Sequence, residues 1–230
     1  DDKRQGWYGS GLKFDGSSDY LETSKGLGLD SESDGDFAVE SWVYNLEDGV
    51  YSMPITSRSG YNDGWFWYAD TLQWRMGLCN GTDYDTAYST YTVPLREWHH
   101  LVTVFDESNS IVYFYVDGDL VNTDTVTVNI TLNPSRELNL GRDSSGGNHW
   151  EGILDEVRVW NRTISWKEIN ASYNNGIYRL ENNFTNLTED FYNYTAWSMD
   201  RAGNLDKSGN RNLTVDITNP KISWSNPTPD

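Results

Sequence analysis

Three groups of residues carry side chains whose chemistry and spacing could define a site. The first is acidic. Asp15-Gly16-Ser17-Ser18-Asp19 puts two carboxylates into one tight turn, and Glu151, Asp155 and Glu156 follow far along the chain. Hard oxygens of this kind suit calcium, which takes about six to eight of them; the plainer reading is that Asp15 and Asp19 close Asx-type turns and Asp155 accepts backbone N–H groups. Glycoside hydrolysis with retention needs two carboxyl groups roughly 5 Å apart, whereas Asp155 and Glu156, adjacent on a strand, are expected on opposite faces. The second group is the histidines His99, His100 and His149; no nucleophile elbow lies near any of them. The third is aromatic: Trp65-Phe66-Trp67-Tyr68, then Trp74, Tyr84, Tyr88 and Tyr91. Sugars stack on exposed aromatic faces, which makes Trp65, Trp67, Trp74 and Tyr84 candidate ligand-binding residues. Period-two alternation sets Trp65 and Trp67 against Phe66 and Tyr68, so a core could equally absorb either set.

The elements that must position these residues are mostly strands. Short segments alternate apolar and polar residues and are separated by Gly, Asp and Asn, the pattern of an antiparallel sandwich. Phe37, Val39, Ser41 and Val43 oppose Ala38, Glu40, Trp42 and Tyr44. Residues 98 to 126 read as three consecutive strands, the last two joined by Asp117-Gly118, a turn pair suited to positive φ. One stretch reads as helix. Ser165 and Glu168 form a capping box, Ile164 and Ile169 a hydrophobic staple, and Asn175-Gly176 an expected stop. That places the end of a first domain, residues 1–178, just after a single short helix. Residues 179–230 hold only three or four strands, too few for a sandwich of about 100 residues.

Charge and composition narrow the function classes. Lys and Arg number 17 against 35 Asp and Glu, a net charge of −18, which repels polyanions and argues against nucleic acid as a partner. The longest apolar run, Ile111 to Val116, is far short of the roughly 20 residues of a membrane helix, so no membrane span is expected in this chain. Cys79 is the only cysteine, which excludes an internal disulfide and CxxC redox chemistry. Eight N-x-[ST] sequons begin at Asn80, Asn129, Asn161, Asn170, Asn183, Asn186, Asn193 and Asn212. They suit either a glycoprotein at the cell surface or outside the cell, or a chain whose turns and strands are simply rich in Asn and Thr.

Four blocks, in order, resemble the laminin G-like, concanavalin A-like jelly-roll family. They are Gly9-Ser10-Gly11-Leu12-Lys13-Phe14-Asp15-Gly16-Ser17-Ser18-Asp19-Tyr20-Leu21; Phe37-Ala38-Val39-Glu40-Ser41-Trp42-Val43; Trp98-His99-His100-Leu101-Val102-Thr103-Val104 with Tyr115-Val116-Asp117-Gly118; and Leu140-Gly141-Arg142-Asp143 with Gly152-Ile153-Leu154-Asp155-Glu156-Val157-Arg158-Val159-Trp160. The resemblance implies an all-β fold, a jelly-roll β-sandwich of two curved antiparallel sheets with one short helix near its C-terminus. It also implies that His99 and His100 are structural, and that calcium sits where the first turn meets the Asp155-Glu156 strand, with Asp19 and Asp155 leading and Asp15 and Glu156 behind. The E-x-D-x-E strand of laminarinase-type hydrolases within this fold is absent from the sequence.

The tail Tyr192-Asn193-Tyr194-Thr195-Ala196-Trp197-Ser198-Met199-Asp200-Arg201-Ala202-Gly203-Asn204, with Leu213-Thr214-Val215-Asp216 and Pro220, resembles the last two strands of prokaryotic immunoglobulin-like surface repeats. A partial immunoglobulin-like segment of this kind implies a longer parent chain and strand pairing with flanking repeats or further copies, residues 217–230 supplying a short strand. The expectation is therefore a non-catalytic extracellular module of a surface layer, filament or adhesin. A carbohydrate-binding lectin module is the alternative, and a glycoside hydrolase the remote one.

Overall fold

The computed structural model describes residues 6–7, 9–29, 35–127, 129–177, 185–199 and 205–218. The chain divides into two compact units, Asp1–Arg179 and Leu180–Asp230.

The first unit is a sandwich of two six-stranded sheets. Its strands are β1 (Leu12–Asp15), β2 (Leu21–Glu22), β3 (Phe37–Asn45), β4 (Val50–Arg58), β5 (Gly64–Asp70), β6 (Gln73–Cys79), β7 (Tyr84–Thr92), β8 (Trp98–Asp106), β9 (Ile111–Val116), β10 (Asp119–Thr125), β11 (Asn139–Leu140) and β12 (Glu151–Trp160), followed by helix α1 (Trp166–Ile177). The first sheet runs β1-β12-β3-β8-β9-β10 and the second β2-β11-β4-β5-β6-β7. The expected all-β jelly roll with one short helix is thus the observed fold. Its core is the set of inward residues that alternation selects: Phe37, Val39 and Val43 from β3, Leu101 and Phe105 from β8, and Ile55, Trp65, Trp67, Trp74 and Met76 from the second sheet. The indole Nε1 of Trp67 donates to Thr103 Oγ1 across the sandwich at 2.6 Å, so a hydroxyl buried in an apolar core is satisfied.

The remaining side chains of β3 and β8 would face water without α1. Ala38, Val102 and Val104 instead pack against Ile164 and Ile169. The capping box forms as expected: the Ser165 N–H donates to Glu168 Oε2 at 2.8 Å, and the Glu168 N–H donates back to Ser165 Oγ at 3.4 Å. The helix runs through Asn175-Gly176 to Ile177, one or two residues past the expected stop. The Asp117-Gly118 turn has φ of 52° and 86° at its two residues, as a type I′ hairpin requires.

A bulge corrects the facing expected for β12. Asp155 pairs with Trp42 and Arg158 with Glu40, so two residues of β12 oppose Ser41 alone, and Glu156 takes φ 51°. In an unbroken ladder Arg158 would face the core. The extra residue reverses that parity, and Glu156 and Arg158 meet on the helix side, Oε2 to Nη2 at 2.5 Å.

In the second unit β13 (Asp190–Tyr194) pairs with β16 (Arg211–Val215), and β14 (Trp197–Met199) with β15 (Leu205–Lys207). The turn expected at 200–204 and the strand expected within 219–230 lie outside the described residues.

Candidate functional site

The β1–β12 register brings Asp15 beside Glu151 and separates it from Asp155. Asp15 pairs with Glu151 while Leu12 pairs with Leu154, so Asp155 lies four residues further along the β1–β12 pair, on the order of 13 Å away. One calcium ion spans only about 5 Å between opposite ligands; a single ion bridging Asp15, Asp19, Asp155 and Glu156 does not fit this register. Asp15 instead closes its own turn. Its carboxylate accepts the N–H groups of Ser17, Ser18 and Asp19 at 2.8–2.9 Å and both serine hydroxyls, and those bonds hold its pKa far below the usual carboxylate range. Asp155 Oδ1 accepts the N–H of Glu156. Among the described residues no group of three or more His, Cys, Asp or Glu is placed to hold a metal.

His99 and His100 serve packing contacts. His99 Nδ1 lies 2.8 Å from Asp117 Oδ2, tying β8 to the turn before β10. His100 is buried beneath α1, with Nε2 3.1 Å from Glu40 Oε1. Glu40 is the centre of a cluster the sequence reading missed. Arg158 Nη1 donates to it at 2.7 Å, Trp160 Nε1 at 3.2 Å, and the Ser172 hydroxyl of α1 also donates to it. Burial alone would raise the Glu40 pKa; the hydrogen bonds of His100 and Ser172, with the charges of His100 and Arg158, outweigh it and hold the carboxyl low. Ser172 gives its hydrogen to the Glu40 carboxylate, so the group ties α1 to β3.

Of the aromatic candidates, Trp65 and Trp67 are 0% exposed and Trp74 3%. They belong to the core between the sheets and are corrected to packing residues, because that parity faces the other sheet. The opposite parity packs on the outer side of the second sheet. There Phe66 and Tyr68 of β5, 1% and 2% exposed, form a second buried cluster with Met53 and Cys79, and Tyr84 packs half-buried against it. From there an unbroken chain of rings crosses the sheet: Tyr51 to Tyr68 at 5.4 Å, Tyr68 to Phe66 at 5.3 Å, Phe66 to Tyr84 at 5.5 Å and Tyr84 to Tyr61 at 5.4 Å between centroids. Its two ends are open to solvent, Tyr51 at 41% and Tyr61 at 50% exposed. Phe66 lies over Gly77, where a Cβ would sit 2.1 Å from the ring. The bare glycine is what allows the ring to lie flat.

Polar groups border the rings. The Arg75 guanidinium sits 4.9 Å from the Tyr88 ring centre and pairs with Asp70 at 2.7 Å. Over the middle ring, Arg58 lies 4.0 Å from the Phe66 centre and holds Asp143 through Nε–Oδ1 at 2.8 Å and Nη2–Oδ2 at 2.9 Å. Burial alone would raise the Asp143 carboxyl, but the Arg58 and Ser145 hydrogen bonds keep it below its ordinary value. Burial pushes the Tyr84 hydroxyl up, with the phenols of Tyr51, Tyr68 and Tyr61 adding to it. Cys79, under this face, is likewise pushed up by burial to about 11 and is inert as a thiolate. Tyr84 is the one candidate ligand residue on this side, where the alternation also placed Phe66 and Tyr68; Tyr51 and Tyr61 were missed.

Of the sequons, Asn129, Asn161, Asn186, Asn193 and Asn212 are exposed. Asn80 is half-buried, its Oδ1 bound by Thr82 and Asp83. Asn170 is half-buried on α1, its Oδ1 bound by Asn174. Asn183 lies outside the described residues.

Two six-stranded antiparallel sheets followed by one short helix define an all-β jelly-roll domain. The chain belongs to the concanavalin A-like lectin/glucanase superfamily, whose model matches residues 15–170. No curated protein matches it. Among solved structures it is similar to the heptameric SAP-like pentraxin of Limulus polyphemus (14% identity, 70% of this chain and 80% of the other, TM-score 0.56). It is also similar to the binding domain of botulinum neurotoxin serotype D (15%, 75% and 44%, TM-score 0.58) and to the CBM40 of Ruminococcus gnavus IT-sialidase bound to α2,3 sialyllactose (16%, 68% and 96%, TM-score 0.51). At these identities the likeness is one of fold.

Proposed function

We propose that the jelly-roll unit is a non-catalytic carbohydrate-binding module that lays a glycan along the outer face of β4–β7. The observation that carries this reading is the ring chain from Tyr51 through Tyr68, Phe66 and Tyr84 to Tyr61, with both ends exposed. The buried rings of Tyr68 and Phe66 support two open ones, Tyr51 and Tyr61 at 41% and 50% exposed, which a sugar can stack on at little entropic cost because their packing already holds them. The sialyllactose bound to the R. gnavus module is a precedent for sugar recognition on this fold. The eight sequons favour a secreted or surface setting, where glycans are available. A glycan array tests the reading: the protein should bind defined glycans, and a Tyr51→Ala, Tyr61→Ala double variant should lose them while keeping its melting temperature. Equal binding by the double variant contradicts it.

A second reading, assembly through the small unit, rests on the exposure of Phe191, Tyr194, Leu213 and Ile217. Among the described residues β13 and β16 form a two-stranded sheet, an arrangement suited to adding a further strand. Deleting residues 217–230 and measuring association by light scattering tests it; association unchanged by the deletion, or a strict monomer before it, contradicts it.

A further inference from the structure

Beside the aromatic face lies a cavity of about 230 Å³ lined by Glu22, Arg58, Arg136, Glu137, Asn139 and Ser145 among others. Arg58 is the shared wall, since its guanidinium covers Phe66. The cavity's hydrogen-bonding character is lopsided. Its two arginines are already committed in bidentate pairs, Arg58 to Asp143 and Arg136 to Asp63 at 2.8 and 2.9 Å. The Ser145 hydroxyl donates to Asp143 at 2.6 Å and the Ser144 hydroxyl to the Arg58 carbonyl at 2.6 Å. Beside these pairs stand the carboxylates of Glu137 and of Glu22, the latter 3.6 Å from Arg142, and Asn139 Oδ1. Asn139 is 2% exposed, and its buried Oδ1 has no hydrogen-bond partner in the protein.

A buried acceptor without a donor costs free energy, and a group left so in a polar cavity marks where a ligand donor goes. An anionic ligand meets the wrong field here. Arg58 and Arg136 are neutralised by Asp143 and Asp63, Glu22 has only the Arg142 contact at 3.6 Å, Glu137 adds a further carboxylate, and the whole chain carries −18. We propose that the cavity receives an uncharged sugar residue of the glycan on the aromatic face, its hydroxyls donating to Asn139 Oδ1, Glu22 and Glu137. The module then selects neutral glycans over sialylated ones. The inference rests on the carbohydrate-binding reading and sharpens it to a substrate class.

The test uses an array of matched glycans with and without sialic acid, followed by calorimetric titration of the best matched pair, each in calcium and in EDTA. The expected result is neutral binding at least about tenfold tighter than its sialylated counterpart, unchanged by EDTA. Glu22→Gln with Glu137→Gln, both at accessible positions, should narrow that ratio by several-fold, and Asn139→Leu should weaken neutral binding about tenfold. Sialylated glycans bound as tightly as neutral ones overturn the inference, as does a ratio indifferent to the double Gln variant or binding abolished by EDTA. If such binding still depends on Tyr51, the carbohydrate reading survives while the inference falls; no glycan binding at all removes both.

Discussion

Tyr51 stacks on Tyr68 with ring planes 6° apart and centroids 5.4 Å apart, and it does so from a backbone at φ 58°. Val50 pairs with Asp70 and Ser52 with Ala69, so Tyr51 is the extra residue of a bulge in β4. A bulky residue in the left-handed region is strained by on the order of 1 kcal/mol or more. In this structure the strain delivers an exposed ring onto the outer side of the β4–β7 sheet.

Tyr51→Gly should therefore separate stability from function. Glycine relieves the backbone strain but loses the stacking contact and frees the unfolded chain, so unfolding free energy should stay within about 1 kcal/mol of the parent. Glycan affinity should fall about tenfold, or roughly 1.4 kcal/mol. Urea denaturation and calorimetric titration of the same preparation measure both.

Gly77→Ala tests the platform from beneath. A Cβ at 2.1 Å from the Phe66 ring must displace it, and overpacking of this kind typically costs about 1–3 kcal/mol. Both the urea midpoint and glycan binding should drop, in contrast to Tyr51→Gly, where only binding drops.

The Glu40 cluster predicts a large stability effect with no requirement for ligand. Glu40→Ala leaves His100 and Arg158 facing a hole, and removal of one member of a buried charge pair costs about 3–5 kcal/mol. Its carboxyl is held below its ordinary value, so its stabilisation is complete above about pH 4.5, the unfolded value, and fades as pH falls through the lower folded one. Hydrogen exchange in α1 should accelerate over that acid range.

Glu168 sets a second acid window. The ion pair with Arg162 and the bonds from Ser165 lower its pKa from 4.5 to about 2. A depressed carboxyl stabilises the fold above its unfolded pKa and loses that contribution as pH falls through the folded one. The melting-temperature difference between parent and Glu168→Gln should be present at pH 6 and vanish near pH 2.

Much of this molecule is legible in its sequence, and the failures share one cause. Alternation in 37–44 and 98–126, the Asp117-Gly118 turn and the Ser165–Glu168 box each encode a local geometry that tertiary packing leaves intact. Alternation in 65–68 separates two faces correctly but does not say which is inside; Gly77, opposite Phe66, was the available signal for the outer one. Bulges carry no such pattern. Glu156 and Tyr51 both take positive φ as non-glycine residues, and Thr71-Leu72 turn a tight hairpin at φ 54° and 64° without a glycine. Each bulge reverses side-chain parity downstream, which hid Arg158 from the helix face and Tyr51 from the aromatic one.

A crystal structure of the jelly roll with the tightest array-selected glycan tests the central claim most directly. The account predicts a sugar ring stacked within about 4 Å of Tyr51 or Tyr61 on the outer face of β4–β7. A glycan seated instead on the helix-covered sheet, or held only by loops away from these tyrosines, would contradict it.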